Sequence, residues 1–180
     1  MIIARKLKSL WLCLLILLGG ANPLWAEEIS QEYQLKLAFM VNFARFISWP
    51  EESFTATQPQ LTLCILGKNP FGNALRGVEG KKVGDHTLKI EQMEALGKDQ
   101  QCHLLFVNQS EAGRAASLEP ALGRRPVVTV SDIPGFAAAG GSIEFVLKDD
   151  RLSFIINNSV MKDRGVQAGS ALLNLAASIR

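Results

Sequence analysis

Histidine and cysteine are scarce in this sequence, with two histidines and three cysteines among 180 residues. No cluster of histidine, cysteine and carboxylate has metal-ligand spacing, and no Cys-x-x-Cys pair occurs. Neither a zinc centre nor a redox motif of that type is expected. The phosphate loops are missing too. The segment GKNPFGNALRGVEGKK is rich in glycine but fits neither G-x-x-x-x-G-K-[ST] nor G-x-G-x-x-G, and it reads as turns. The basic pairs Lys81-Lys82 and Arg124-Arg125 are too short for a nucleic-acid stripe and read as solvated. His103, Ser131 and Asp132 are the residue types of a catalytic triad, but nothing in their spacing supports one. The expectation is a protein that is not an enzyme, with no catalytic residue, no metal and no cofactor.

A long hydrophobic run is also lacking. The longest apolar or small stretch, residues 10–20, falls short of the roughly 20 residues that a membrane span needs. It follows Arg5, Lys6 and Lys8 and precedes Asn22-Pro23 and the small residue Ala26. This order of basic, apolar and small-residue regions is the secretory pattern, so residues 1–26 are expected to be a signal peptide cleaved near Ala26. Residues 27–180 are then a single domain by size. Of 19 basic and 17 acidic residues, three basic ones lie in the leader, which leaves 16 against 17 and a formal charge of −1. That balance argues against general nucleic-acid binding. Cys64 and Cys102 remain in an oxidising compartment, as a disulfide or as two buried thiols.

The pattern of elements is α/β. Apolar residues recur at three and four over 30–47, ending at Trp49-Pro50, which predicts a long helix. Phe39, Phe43 and Phe46 fall partly outside that stripe, so the helix is either buried on two sides or keeps an aromatic face for a partner. The unbroken apolar runs at 61–66, 102–107 and 127–130 suit strands buried on both faces. Short helices are predicted at 70–75 and 110–122, a turn or short strand at 81–84, and a weaker strand at 87–90. Runs at 143–147 and 152–156 around Lys148, Asp149 and Asp150 predict a hairpin. A short helix at 157–164 and a last helix at 170–179, with Leu172, Leu173, Leu175 and Ala176 on one side, close the chain. The predicted fold is three-layer α/β, a mostly parallel sheet flanked by helices, with a C-terminal β-hairpin and terminal helix.

The segments KLAFMVNFARFISWP, LCILGKNPFG, GKKV, CHLLFV, TVSDIPGFAAAGGSIEF and FIIN occur in that order over nearly all of the exported chain. Together they resemble the YfiR family of small periplasmic regulators. The resemblance implies a regulator that binds rather than catalyses. It would restrain an inner-membrane diguanylate cyclase through that enzyme's periplasmic sensor domain and so lower cyclic di-GMP. An OmpA-like outer-membrane lipoprotein would capture it and release the cyclase. The resemblance also implies that Cys64 and Cys102 form the first of the family's cysteine pairs. Some relatives carry a second pair near the C-terminal hairpin, where this chain has Phe136 and Phe145.

Two readings of function follow. In the first, apolar surface on Phe39, Phe43, Phe46, Trp49, Leu172 and Leu175 binds the membrane sensor protein, a diguanylate cyclase or a histidine kinase. The same greasy helices would support a homodimer. In the second, a periplasmic small-ligand-binding protein feeds a sensor kinase. Its pocket would lie at the carboxyl ends of the parallel strands and use Asn69, Phe71, Ser110, Ser131 and Asp132.

Overall fold

The computed structural model describes residues 23–97 and 99–180. The basic and apolar parts of the expected leader, residues 1–22, lie outside them. The chain divides into one unit through Glu32 and another from Tyr33 to Arg180. Apart from the start of helix α1, the fold described below is that of the second unit.

Helix α1 spans Pro23–Phe46 and starts earlier than its expected 30–47 bounds. It stops where Ile47–Ser48 turn into strand β1 and Trp49-Pro50 forbids further α geometry. Leu37, Met40, Phe43 and Ala44 are buried at helical spacing, with Leu35, Asn42, Arg45 and Phe46 on the opposite side.

The sheet is built from β2 (Leu61–Leu66), β3 (Lys82–Val83), β4 (His86–Met93), β5 (Leu104–Val107), β6 (Val128–Ser131), β7 (Ile143–Lys148), β8 (Arg151–Ile156) and β10 (Ser178–Ile179). Its order is β10-β8-β7-β6-β5-β2-β4-β3. The block from β4 through β7 is parallel throughout. The β7–β8 hairpin and the β3–β4 pair are antiparallel, and β10 runs parallel to β8.

The period of two divides each central strand between two cores. Leu61, Leu63, Ile65, Leu104, Phe106, Val128 and Val130 face one core, which includes the buried side of α1. Cys64, Leu66, Leu105 and Val107 face another, closed by Ala115 and Leu122 of α2 (Ala115–Leu122). Burial on both sides explains the unbroken apolar runs, and each such side chain contributes roughly 1.5–3 kcal/mol. The α/β expectation holds, with helices on both faces of a mostly parallel sheet.

Several bounds differ from the sequence reading. The 110–122 helix is instead a 3-10 turn at Gln109–Glu111 followed by α2, with Gly113 in the break. The 70–75 helix is a 3-10 turn at Gly72–Gly77. The weak strand at 87–90 extends to eight residues and pairs with all of β2. After α3 (Asn158–Asp163) and β9 (Gln167–Ala168), which pairs with β1, comes α4 (Ser170–Leu175). The expected 170–179 helix ends there. The Ala177 N–H donates to the Phe154 carbonyl and the Arg180 N–H to that of Ile156, so sheet pairing takes the last residues. At the hairpin tip Asp149 (φ 50) and Asp150 (φ 56) are both left-handed, as a two-residue turn between twisted strands requires.

Candidate functional site

The carboxyl ends of the parallel strands carry the residues that the sequence singles out as a ligand pocket. Asp132 follows β6 directly. Its Oδ2 accepts from the Tyr33 hydroxyl at 2.9 Å and from Lys36 Nζ at 2.5 Å. The Lys36 and Asp132 side chains are 5% and 6% exposed. The ammonium also sits 4.3 Å from the centre of the Tyr33 ring, a cation–π arrangement. Ser131 Oγ donates to the Val107 carbonyl and accepts from the Ile133 N–H. Ser110 Oγ accepts from the Lys68 N–H and donates to Glu111. Asn69 Oδ1 accepts from the Phe71 N–H, and buried Phe71 meets Tyr33 and Phe106 edge to face. The five predicted residues therefore gather at one end of the sheet, but they brace loops and α1. None of them lines the clefts described below. Tyr33 and Lys36 were not foreseen. Their only sequence signal is a polar pair at i,i+3 next to an apolar stripe.

His103 lies at the other end of the strands, just before β5. Its Nδ1 accepts from the Thr62 N–H at 3.0 Å, and its Nε2 donates to the Ser53 carbonyl at 3.0 Å. That pattern needs a neutral ring. Burial holds its pKa below the usual histidine value, against the raising effect of the Ser53 carbonyl, and His86 nearby lowers it further. Phe54 is stacked between the two imidazoles, 3.7 Å from His86 and 4.4 Å from His103. Val107 pairs with Ser131 in register, four residues along from His103, a run of roughly 13 Å at strand rise. That distance excludes a triad of His103 with Ser131 and Asp132.

Cys64 and Cys102 form a disulfide with a Cα–Cα distance of 5.8 Å. In register Cys64 faces Leu105 of β5, and Cys102 sits ahead of that strand, where the chain is free to bring its sulfur across.

The six residues expected to bind a partner separate by burial. Phe43 (1%) and Leu172 (2%) are core residues, which corrects their assignment to a surface. Phe43 packs on Phe145 and Phe154, at 5.8 and 4.8 Å between ring centres. Phe39 is half-buried against the same rings. Trp49 is half-buried, meets His103 edge to face and donates Nε1–H to its carbonyl at 3.3 Å. Phe46 (44%) and Leu175 (66%) are exposed. Leu147 and Ile179, which sequence reasoning missed, are exposed as well. The Gly169 N–H, just ahead of α4, donates to the Phe46 carbonyl at 2.7 Å and ties the end of α1 to the start of α4.

Clefts lie at both ends of the parallel strands. One of about 320 Å³ lies between the 95–97 turn and α2. The other, about 400 Å³, lies at the amino ends of β5 and β6 and includes Ser53, Cys102 and His103. Among the described residues no group of three or more histidines, cysteines and carboxylates is placed to hold a metal, and no helix is long and apolar enough to cross a membrane.

No curated protein matches the chain significantly. A family model described as YfiR/HmsC-like matches residues 33–177, starting at the residue where the second structural unit begins. With the match covering every strand of the sheet but the edge strand β10, and helices on both of its faces, the chain belongs to the YfiR/HmsC-like family.

Proposed function

We propose that this protein is a periplasmic regulator that restrains an inner-membrane diguanylate cyclase by binding its periplasmic sensor domain, and so lowers cyclic di-GMP. The observation that carries this reading is the family match over residues 33–177. The family is regulatory rather than catalytic and works in the periplasm. The secretory pattern of residues 1–26 supports export with cleavage near Ala26, leaving one domain over 27–180.

The mechanism is thermodynamic. A bound regulator shifts a sensor domain only by the difference in its affinity for the inactive and active forms. The contact surface uses apolar groups that the fold leaves in water. Phe46 and Leu175 are the two of the six sequence-chosen residues that meet this condition in full, and Ile179 on the edge strand β10 is a further exposed apolar group. Phe39 on α1 and Trp49 just beyond it are half-buried and offer less surface. An OmpA-like outer-membrane lipoprotein would compete for the regulator and free the cyclase, and a homodimer would cover part of the same apolar area.

The test is deletion of the gene, with intracellular cyclic di-GMP measured in several growth conditions. A rise that the wild-type gene reverses supports the reading, and an unchanged level overturns it. Cross-linking in the periplasm identifies the sensor, and capture of a histidine kinase in place of a cyclase would redirect it.

A further inference from the structure

The first cleft has the features of a ligand site in a place where this topology favours one. β4 lies on one side of β2 and β5 on the other, so the winding of the chain reverses between β2 and β5. Open α/β sheets bind ligands outside the carboxyl ends of the strands at such a reversal. Leu66 and Val107 are the last residues of those two strands, and both line the 320 Å³ cleft. That volume is at the small end of the roughly 300–1,000 Å³ usual for ligand pockets.

The lining is amphipathic. Leu66, Val107 and Ala115 make a buried apolar floor, and half-buried Leu96 and Leu118 make facing walls. Arg114 and Arg125 stand on the rim with Glu111. Glu111 is committed, since its carboxylate accepts from Arg114 Nε and from Ser110 Oγ. The two guanidiniums are fixed by main chain. Arg114 Nη2 reaches the Glu94 carbonyl, and the nitrogens of Arg125 donate to the carbonyls of Leu122, Gly97 and Ala121 at 3.3–3.4 Å. Glu111 pairs with Arg114, and Arg125 brings a second guanidinium to the same lining. Gly67, next along the chain from Leu66, packs closely on Ser110 and Glu111. At its φ of +85°, a Cβ would stand 2.5 Å from both Ser110 Oγ and Glu111 Oε1, so the chain passes there without a gap.

We infer that this cleft binds a small amphipathic anion, with a short hydrocarbon chain on the Leu66–Val107–Ala115 floor and a carboxylate at the Arg114–Arg125 rim. The assignment does not depend on which membrane protein the chain engages.

The experiment is isothermal titration calorimetry of the purified protein with sodium octanoate below its micelle concentration. 1-Octanol and octyltrimethylammonium serve as neutral and cationic probes of equal chain length. The expected result is saturable one-to-one octanoate binding, with both other probes weaker by about tenfold or more. Arg114→Gln and Arg125→Gln are each expected to weaken octanoate by about tenfold, and Leu118→Trp to abolish binding by filling the cleft. If Leu118→Trp does not fold, Leu96→Trp fills the same space from the opposite wall. No saturable octanoate binding at millimolar concentration overturns the inference. So does equal binding of the cationic probe, or full affinity in the folded tryptophan variant.

Discussion

Lys36 and Asp132 form an ion pair in which both side chains are withdrawn from water, and it joins α1 to the end of β6 across 96 residues of sequence. Tyr33 adds a second donor to the same carboxylate oxygen. A buried pair of this kind adds little over an apolar pair of equal shape, but losing one partner strands the other charge, at about 3–5 kcal/mol. Lys36→Met, which leaves the Asp132 carboxylate buried without its cation, is therefore expected to destabilise the protein by about that amount. Lys36→Met with Asp132→Leu is expected to recover much of the loss. Urea unfolding of the two single variants and the double variant measures the coupling directly. Additive single effects would show that the pair does not act as a unit.

The disulfide closes a loop over a sequence separation of 38 residues, from β2 to the segment just ahead of β5. On the chain-entropy model such a loop stabilises by about 4 kcal/mol. Cys64→Ser and Cys102→Ser are each expected to lose about that much, and the parent is expected to lose the same under a strong thiol reductant. Unfolding curves in oxidising and reducing buffer test this. Coincident curves would leave the bridge without a stabilising role.

His103 gives the fold a pH dependence whose sign follows from its surroundings. Its folded pKa lies below the ordinary value, chiefly because burial penalises the cation. Below about pH 6.5 the unfolded chain then binds a proton that the folded one refuses. The contribution to stability is full above that pH and declines as pH falls towards the folded pKa. The Thr62 N–H bond to Nδ1 reinforces the sign, because a protonated Nδ1 cannot accept it. Urea midpoints measured between pH 7.5 and 5 should fall for the parent and fall less for His103→Gln. A parent midpoint that rises on acidification would contradict the assignment of a neutral ring.

How much of this was legible beforehand depends on what each residue's signal is local to. The strands 61–66 and 102–107 were readable because burial on both faces turns a period-two pattern into a continuous apolar run. Strand β4 was half-hidden, since HTLKIEQM sits near the sheet edge with Leu88 its one fully buried residue. The end of α4 was unreadable for a different reason. ALLNLAASIR keeps a helical spacing of leucines, yet partners more than 20 residues away, the carbonyls of Phe154 and Ile156, take its last amides into a sheet. At the strand ends Asp132 was singled out, but Lys36 and Tyr33 were not, because an ion pair across 96 residues leaves no local trace beyond a polar pair at i,i+3. The region where some relatives have a second cysteine pair shows the same limit. Phe136 packs against Gly141, whose Cβ would lie 2.2 Å from the ring, and the Glu144 carboxylate takes the Gly135 and Ala137 N–H groups. Phe145 faces the other core.

The aromatic residues of α1 show why exposure must be separated from apolar character before a surface is assigned. Phe43 and Phe46 are both phenylalanines one turn apart on one helix, yet one is 1% and the other 44% exposed. Removing the Phe43 ring opens a hole among Phe39, Phe145 and Phe154, so Phe43→Ala is expected to cost about 3–5 kcal/mol of stability. Any loss of regulation in that variant would follow from unfolding. Phe46→Asp and Leu175→Asp change groups that already face water, and their stability should stay within about 0.5 kcal/mol of the parent. If the proposed contact surface is correct, these two variants fold normally but fail to restrain the sensor. Cyclic di-GMP then rises while periplasmic abundance of the protein is unchanged. Measuring both quantities in the same cells separates the two classes. Full repression by a folded Phe46→Asp/Leu175→Asp double variant would move the contact surface elsewhere, to the exposed Leu147 at the hairpin end or Leu35 on α1.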